Sequence, residues 1–162
     1  MEDKVIKALG GMNLKIINKQ EKIPTYDVKA IKIQHIEYYD SLCSSYDGKE
    51  ITEEVIDHLL KEIPDGLDVY LSLIPEGEDD WLEVNCDGEW LAMAYRSDEG
   101  NYYSWNPQYE GVEEWAPVQG GGQSPIEKYL ALTDIKMGIK VIDYFIRTGK
   151  LYPGIEWAEQ LD

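Results

Sequence analysis

The sequence is poor in the residues that most often form metal sites and disulfides. Its 162 residues include two cysteines and two histidines. Cys43 and Cys86 lie far apart in the chain, so we interpret them as reduced thiols buried like small hydrophobic residues, not as a disulfide. His35 and His58 are isolated, whereas a zinc site needs several His or Cys ligands at close spacing. The expectation is a protein without a metal site or a cofactor.

The motifs of common catalytic sites are missing or incomplete. No Gly-x-Ser-x-Gly occurs, and the glycines at 120–122 are not followed by the Lys-Ser/Thr pair of a phosphate-binding loop. The acidic run at 76–80 lacks the spaced oxygen ligands of a calcium loop. We therefore predict that the protein is not an enzyme. A hydrolase that uses acidic residues and a bound divalent cation is the alternative from another functional class.

Long hydrophobic runs are also absent. No window approaches the ~18 consecutive apolar residues of a membrane span, and charged residues interrupt the apolar runs near the N-terminus. These features predict a cytoplasmic protein that does not interact with membranes.

Basic residues are scarce where acids are most frequent. The chain has a net charge of −17, and residues 41–127 alone carry 21 acids against three basic residues. Residues 1–40 have a net charge of +1, and residues 128–162 are neutral overall. A negative field of this kind repels nucleic acid and attracts basic proteins or cations. We expect a basic protein partner and no nucleic-acid ligand.

One segment within this acidic part is also rich in aromatic residues. Residues 101–115, NYYSWNPQYEGVEEW, contain five tyrosines or tryptophans and three glutamates but no Lys or Arg. Rigid aromatic side chains surrounded by charges are typical of protein interfaces. We predict that one strand face of this segment joins the core and that the loop after it binds a partner. The candidate interface residues are Trp105, Tyr109, Glu110, Glu113, Glu114, Asp98, Glu99 and the acidic run Glu76, Glu78, Asp79 and Asp80.

Hydrophobic alternation predicts a series of strands. Matching patterns occur at 14–18, 28–39, 68–74, 81–86, 89–95 and 101–105. Within 28–39 the alternation changes phase, which indicates a bulge near Gln34 and His35. The sequence Asp87-Gly88 predicts a tight hairpin between two of the strands.

Two further segments have the periodicity of amphipathic helices. The first starts at the cap Thr52 and stops at Pro64 and Gly66, and the second starts at Thr133 or Asp134. Gly149 closes the second helix, whose outward face is predicted to carry Lys136, Lys140, Asp143 and Arg147. The combined prediction is a single α+β domain, with two principal helices on one face of a mainly antiparallel sheet of six or seven strands.

Two stretches, YYSWNPQYEG at 102–111 and GGGQSPIEKYLALTDIKMGIKVIDYFIRTGKLYPGIEW at 120–157, resemble immunity protein family 1 of bacterial polymorphic toxin systems. The shared features are the paired aromatics Tyr102-Tyr103, a turn at Gly121-Gly122, a helix of the type IKVIDYFIRTGK and the closing IEW at 155–157. The resemblance covers residues 28–160 and is most specific over the last sixty. The immunity-protein domain is therefore expected at 28–162, and residues 1–27 form an N-terminal extension or the first elements of the same domain.

The resemblance implies a small cytosolic α+β protein that neutralises a cognate secreted toxin, often a nucleic-acid-directed deaminase or nuclease, by stoichiometric binding. It implies neither catalysis nor a cofactor. The shared glycine, aromatic and Trp157 positions are expected to determine the fold, and Trp157 to pack back onto the domain. An acidic inhibitor suits the basic substrate groove of such a toxin domain. A DNA-mimic regulator of a basic host protein is the second alternative.

Overall fold

Antiparallel strands make up most of the fold. The computed structural model of the protein describes residues 4–39, 42–75, 79–120 and 124–161. This part of the chain combines twelve strands with two α-helices, so the α+β class is confirmed, whereas the expected number of strands was too low. The strands are β1 (Lys4–Lys7), β2 (Asn13–Ile17), β3 (His35–Tyr39), β4 (Cys43–Asp47), β5 (Leu67–Ser72), β6 (Trp81–Cys86), β7 (Leu91–Ser97), β8 (Gly100–Ser104), β9 (Trp115–Gly120), β10 (Ser124–Glu127), β11 (Ala131–Leu132) and β12 (Trp157–Gln160).

Most of the strands belong to one sheet, in the order β1-β2-β12-β8-β7-β6-β5-β3-β4, with β11 added to β7. The remaining strands, β9 and β10, pair as a separate hairpin. The C-terminal strand β12 lies between β2 and β8 and is antiparallel to both. Because β2 also pairs with β1, residues 4–17 form the first two strands of this sheet and not a detached extension.

Two helices begin and end where the sequence predicts. In α1 (Glu53–Glu62), the Thr52 hydroxyl accepts a hydrogen bond from the Val55 amide at 3.3 Å. In α2 (Ile135–Thr148), Asp134 rather than Thr133 is the cap, and its carboxylate accepts from the Met137 amide at 3.1 Å. Gly149 ends α2 in the left-handed conformation, with φ of 72°. In the part of the chain that the structure describes, neither helix is long and apolar enough to cross a membrane.

The main hydrophobic core lies between the helices and one face of the sheet. Alternate residues of the central strands point to this face, as the period of a strand requires. Ile56 and Leu59 of α1 and Ile142 and Phe145 of α2 are completely buried against them. The sheet residues in this core are Ile36, Tyr38, Leu67, Val69, Leu71, Leu82, Val84, Cys86, Leu91, Met93, Leu132 and Trp157.

Arg147 departs from the outward face predicted for α2. Its side chain is only 5% exposed, and it joins the two helices. The guanidinium donates two hydrogen bonds to the Glu53 carboxylate, at 2.9 and 2.5 Å, and a third to Asp143 at 3.1 Å. A buried guanidinium is tolerated because carboxylates satisfy its donors. The prediction failed because one of these partners lies on the other helix, which helical periodicity does not reveal.

Two further expectations require correction. Residues 28–34 do not form a strand; β3 begins at His35, so the change of hydrophobic phase marks the start of a strand and not a bulge. The backbone of this segment bonds elsewhere, with the Lys32 amide donating to the Ile146 carbonyl at 2.8 Å. Cys43 is exposed near the sheet edge, whereas Cys86 is buried as expected.

The other face of the sheet is covered over only part of its width. Two small clusters pack on it, one around Trp105, Tyr129 and Leu14, and one between the β9–β10 hairpin and Ala92 of β7. The hairpin reaches β6 and β7. The corresponding side of β4, β3, β5 and β6 bears partly exposed polar and aromatic residues, and we call it the open face.

Candidate protein-binding surface

The predicted binding segment at 101–115 contributes one of its main aromatic residues to the core. Trp105 is 1% exposed and packs on Tyr129, with ring centroids 5.2 Å apart. Its expected role as an interface residue is therefore wrong, because a buried ring is not available to a partner. Alternation along the chain places Trp105 on the same side as Tyr103, and both residues belong to a hydrophobic cluster that also contains Leu14 and Ile16 of β2.

The loop after Trp105 is acidic, but most of its charge is paired. Glu110 forms an ion pair with Lys4 of β1, and Glu114 contacts the Lys128 ammonium at 2.5 Å. The same ammonium lies 5.8 Å from the ring centroid of Tyr109, which is half-buried. Glu113 is exposed and forms no ion pair within the described residues. Lysines from elsewhere in the chain thus offset much of the predicted negative potential.

The second predicted group of acids comes together at the opposite end of the sheet. Asp79 and Asp80 precede β6, and Asp98 and Glu99 form the turn between β7 and β8. The pKa of Asp98 is raised, chiefly by the negative charge of Asp79 and then by a hydrogen bond with it. The pKa of Tyr95 is raised to about 12, chiefly by burial and next by the negative charge of Asp80. The predicted sites at Glu76 and Glu78 lie outside the described residues.

The open face is a third acidic surface, and sequence reasoning missed it. Its side chains come from alternate positions of four adjacent strands. No Lys or Arg occurs among the twelve residues that point to this side of β4, β3, β5 and β6. The acidic and aromatic members are Glu37, Asp47, Asp68, Glu83, Tyr39, Tyr70 and Trp81.

One cross-strand row on the open face alternates acid, aromatic and acid. Tyr70 of β5 is paired with Glu37 of β3 on one side and Glu83 of β6 on the other. The pKa of Tyr70 is raised by partial burial first, and then by the negative charges of Glu83, Asp68 and Glu37. Arg96 of the next strand opposes part of this shift. The phenol of Tyr70 therefore remains a neutral hydrogen-bonding group in a negative field.

A neighbouring row holds Tyr39, Asp68 and Asn85. The Asn85 amide donates to Asp68 at 3.0 Å, and the Tyr39 hydroxyl donates to Glu37 at 2.5 Å. This bond to Glu37 is the largest cause of a raised pKa at Tyr39, whose ring is 44% exposed. The two rows enclose a groove of about 480 Å³ lined by Glu37, Tyr39, Asp68 and Tyr70.

His35 and Asp47 lie at one end of the open face. The His35 ring is buried, and its Nδ1 lies 2.7 Å from an Asp47 oxygen. Within the described residues there is no group of three or more His, Cys, Asp or Glu side chains arranged to hold a metal ion. The arrangement suits the binding of a complementary surface, since its acids are spread along strands instead of converging on a point.

The open face has no compact signature in the sequence. Glu37, Asp68 and Glu83 are separated by intervals of 31 and 15 residues. They become neighbours only because β5 pairs with both β3 and β6. Because Tyr70 and Glu83 alternate with apolar residues along their strands, the sequence indicated that both point away from the core. It did not indicate that their strands are neighbours in the sheet.

No family model matches this chain, and no curated protein was found to be similar to it. The resemblance to immunity protein family 1 therefore rests on the sequence motifs alone. Of these motifs, the paired tyrosines lie in β8, the amphipathic segment forms α2 and Trp157 starts β12. The turn at Gly121-Gly122 lies outside the described residues.

Proposed function

We propose that the protein is an immunity protein that neutralises a basic toxin domain by binding it through the open face. The observation that carries the proposal is the composition of this face, with four carboxylates and three partly exposed aromatic rings but no Lys or Arg. A toxin that acts on nucleic acid needs a basic groove for its substrate, and a negative surface attracts such a groove over long range.

The open face is also preorganised for binding. Along β5 and β6, the residues of the open face alternate with residues that point to the helices. Of the latter, Val69, Leu71 and Leu82 are completely buried. Their packing fixes the backbone that carries Tyr70 and Glu83. Tyrosine loses little conformational entropy when it is immobilised, so a rigid aromatic platform binds with a small ordering cost.

The proposal is tested with two matched double variants. Glu37→Gln with Glu83→Gln removes two negative charges from the open face, and Glu110→Gln with Glu114→Gln removes two from the loop that lysines already neutralise. If the adjacent gene encodes a secreted protein, the C-terminal domain of that protein is used as the partner. Association rates are measured at two salt concentrations, together with protection of cells that express the toxin domain.

We expect the open-face variant to associate several-fold more slowly at low salt and to lose much of its salt dependence, because exposed charges act mainly on association. The loop variant has the same net charge and should change little. Replacing Tyr70 by Ala should raise the dissociation constant roughly 30-fold, the effect of a 2 kcal/mol hot spot. Unchanged association rates and full protection in the open-face variant would show that the interface lies elsewhere. An adjacent gene without a toxin domain would argue against the proposed function itself.

A further inference from the structure

The strand order of the large sheet begins with β1 and ends with β4, and these two edges differ in how they are protected. β1 has a lysine at each end, Lys4 and Lys7, and lysines on an edge strand discourage pairing with a further strand. β4, with the sequence CSSYD, has neither lysine nor proline, and its register with β3 is regular, without a bulge. The β4 edge therefore lacks the features that usually prevent strand addition.

The backbone of β4 points toward the outer edge at alternate residues. In an antiparallel ladder, residues that bond to the neighbouring strand alternate with residues whose N–H and C=O groups point away from it. The Gly48 amide donates to the Gln34 carbonyl at 2.9 Å, and this bond fixes the alternation along β4. Tyr46 and Ser44 therefore bond to β3, whereas the backbone groups of Ser45 point outward.

The outward backbone groups of β4 are only partly occupied by the chain itself. Asp47 also points its backbone outward, and its amide donates to the Glu50 carboxylate at 2.9 Å. Among the described residues, none accepts a hydrogen bond from the Ser45 amide. Ser45 is small and exposed, so the backbone of another strand can approach it. The edge thus presents a donor and an acceptor at Ser45 to an incoming strand.

The open face indicates the charge of the strand that fits this edge. The Ser45 side chain lies on the open face, and Glu37 of β3 is its cross-strand neighbour. Alternate side chains of an added strand would continue the same face, which has no Lys or Arg among its described residues. Cross-strand pairs of opposite charge stabilise a sheet. A second copy, with a net charge of −17, would instead bring another acidic surface beside the first.

We infer that β4 accepts an extended strand of the toxin domain, with basic side chains on the side of the open face. Main-chain hydrogen bonds hold such a strand, and its alternating side chains give specificity. The open face and the β4 edge then form one continuous interface. The source of the strand rests on the proposed function, whereas acceptance of a basic strand by the edge does not.

Amide hydrogen exchange of single residues, measured by NMR, tests the inference on the wild-type protein. In the free protein, the Ser45 amide should exchange much faster than the Tyr46 amide, which is bonded to β3. Binding of the toxin domain should slow exchange at Ser45 by about tenfold or more, because the amide gains a hydrogen bond. Toxin binding without this protection overturns the inference and leaves the proposed function intact. Protection in the free protein that disappears on dilution would show a second copy at the edge, and also overturns it.

Two proline variants provide a matched comparison of the edges. Ser45→Pro removes an outward N–H without removing a bond to β3. Val5→Pro makes the same change in β1, where the bond from the Ala8 amide to the Met12 carbonyl places Val5 in the outward phase. Ser45→Pro should weaken toxin binding by about tenfold, since an acceptor of the partner loses its donor, and Val5→Pro should not. Equal affinities of the two variants would contradict a role of β4, and urea midpoints check that both are folded.

A synthetic peptide separates the property of the edge from the identity of the partner. A short peptide of alternating lysine and valine should slow exchange at Ser45, and the same peptide with glutamate in place of lysine should not. An equal effect of the two peptides overturns the preference for a basic strand. If the wild type binds no toxin domain, the proposed function fails, and the lysine peptide still decides whether β4 accepts a basic strand.

Discussion

Trp157 offers a direct measurement of how much the C-terminal strand contributes to stability. Its side chain is 97% buried, and its Nε1 donates to the Tyr152 carbonyl at 2.8 Å. As the first residue of β12, it is paired with Ile17 of β2 and Ser104 of β8. We expect Trp157→Ala to lower the free energy of unfolding by about 3–5 kcal/mol, since a large buried side chain is replaced by a cavity. Trp157→Phe should cost about 1–3 kcal/mol, mainly because the Tyr152 carbonyl loses its donor.

The assay for Trp157 is equilibrium unfolding in urea, followed by far-ultraviolet circular dichroism. Trp115→Ala is the matched control, because the Trp115 ring is 48% exposed and the composition changes identically. We expect the control to stay within about 0.5 kcal/mol of the wild type. Equal midpoints for the two alanine variants would refute the structural role of Trp157. A weaker toxin interaction with an unchanged midpoint would place Trp157 in the interface instead.

Two further predictions concern the edge of the sheet and the ion pair between the helices. The family resemblance leaves residues 1–27 outside the domain. Deleting them should nevertheless abolish cooperative urea unfolding, because Leu14 is completely buried. Deleting only residues 1–7 removes an exposed edge strand, and this variant should still unfold cooperatively. Cooperative unfolding of the longer deletion would refute this role of β2. Hydrogen bonding to Arg147 lowers the pKa of Glu53 in the folded protein. The ionised carboxylate therefore stabilises the fold when the pH is above the pKa that Glu53 has in the unfolded chain. This stabilisation is lost as the pH falls through the lower pKa of the folded state. Glu53→Gln should therefore lower the urea midpoint at pH 7 but much less at pH 3, and an equal loss at both values would contradict the argument.

The parts of the fold that were predictable are those determined by neighbouring residues. Both helices follow from an apolar stripe between a polar cap and a stop signal, and these features lie within about four turns of chain. The hairpin at Asp87 is similarly local, because its carboxylate accepts from the Glu89 and Trp90 amides at 2.9 and 2.7 Å. Short strands such as β11, with two residues, have too few positions for alternation to be detected.

The parts that were not predictable depend on pairing between distant segments. Trp105 looked like an exposed anchor because the loop beside it is polar, yet it is buried against Tyr129 in a cluster that also contains residues of β2. Glu110 looked like a free charge because no base lies near it in sequence, yet Lys4 pairs with it across more than a hundred residues. A count of charges within a segment therefore overestimates its negative electrostatic potential wherever basic residues of another strand pair with its acids.

The open face reaches a high negative charge without placing acids directly opposite each other. Tyr70 separates Glu37 from Glu83, and Asp68 lies between Tyr39 and Asn85. Adjacent strands lie about 4.8 Å apart, so Glu37 and Glu83 are separated by roughly twice that distance at the backbone, close to the Debye length at physiological salt. Direct cross-strand pairs of like charge destabilise a sheet, and this interleaving avoids them. The loop acids, by contrast, are offset by lysines. No Lys or Arg occurs among the twelve open-face residues, which is why the two matched double variants should differ although their net charges are equal.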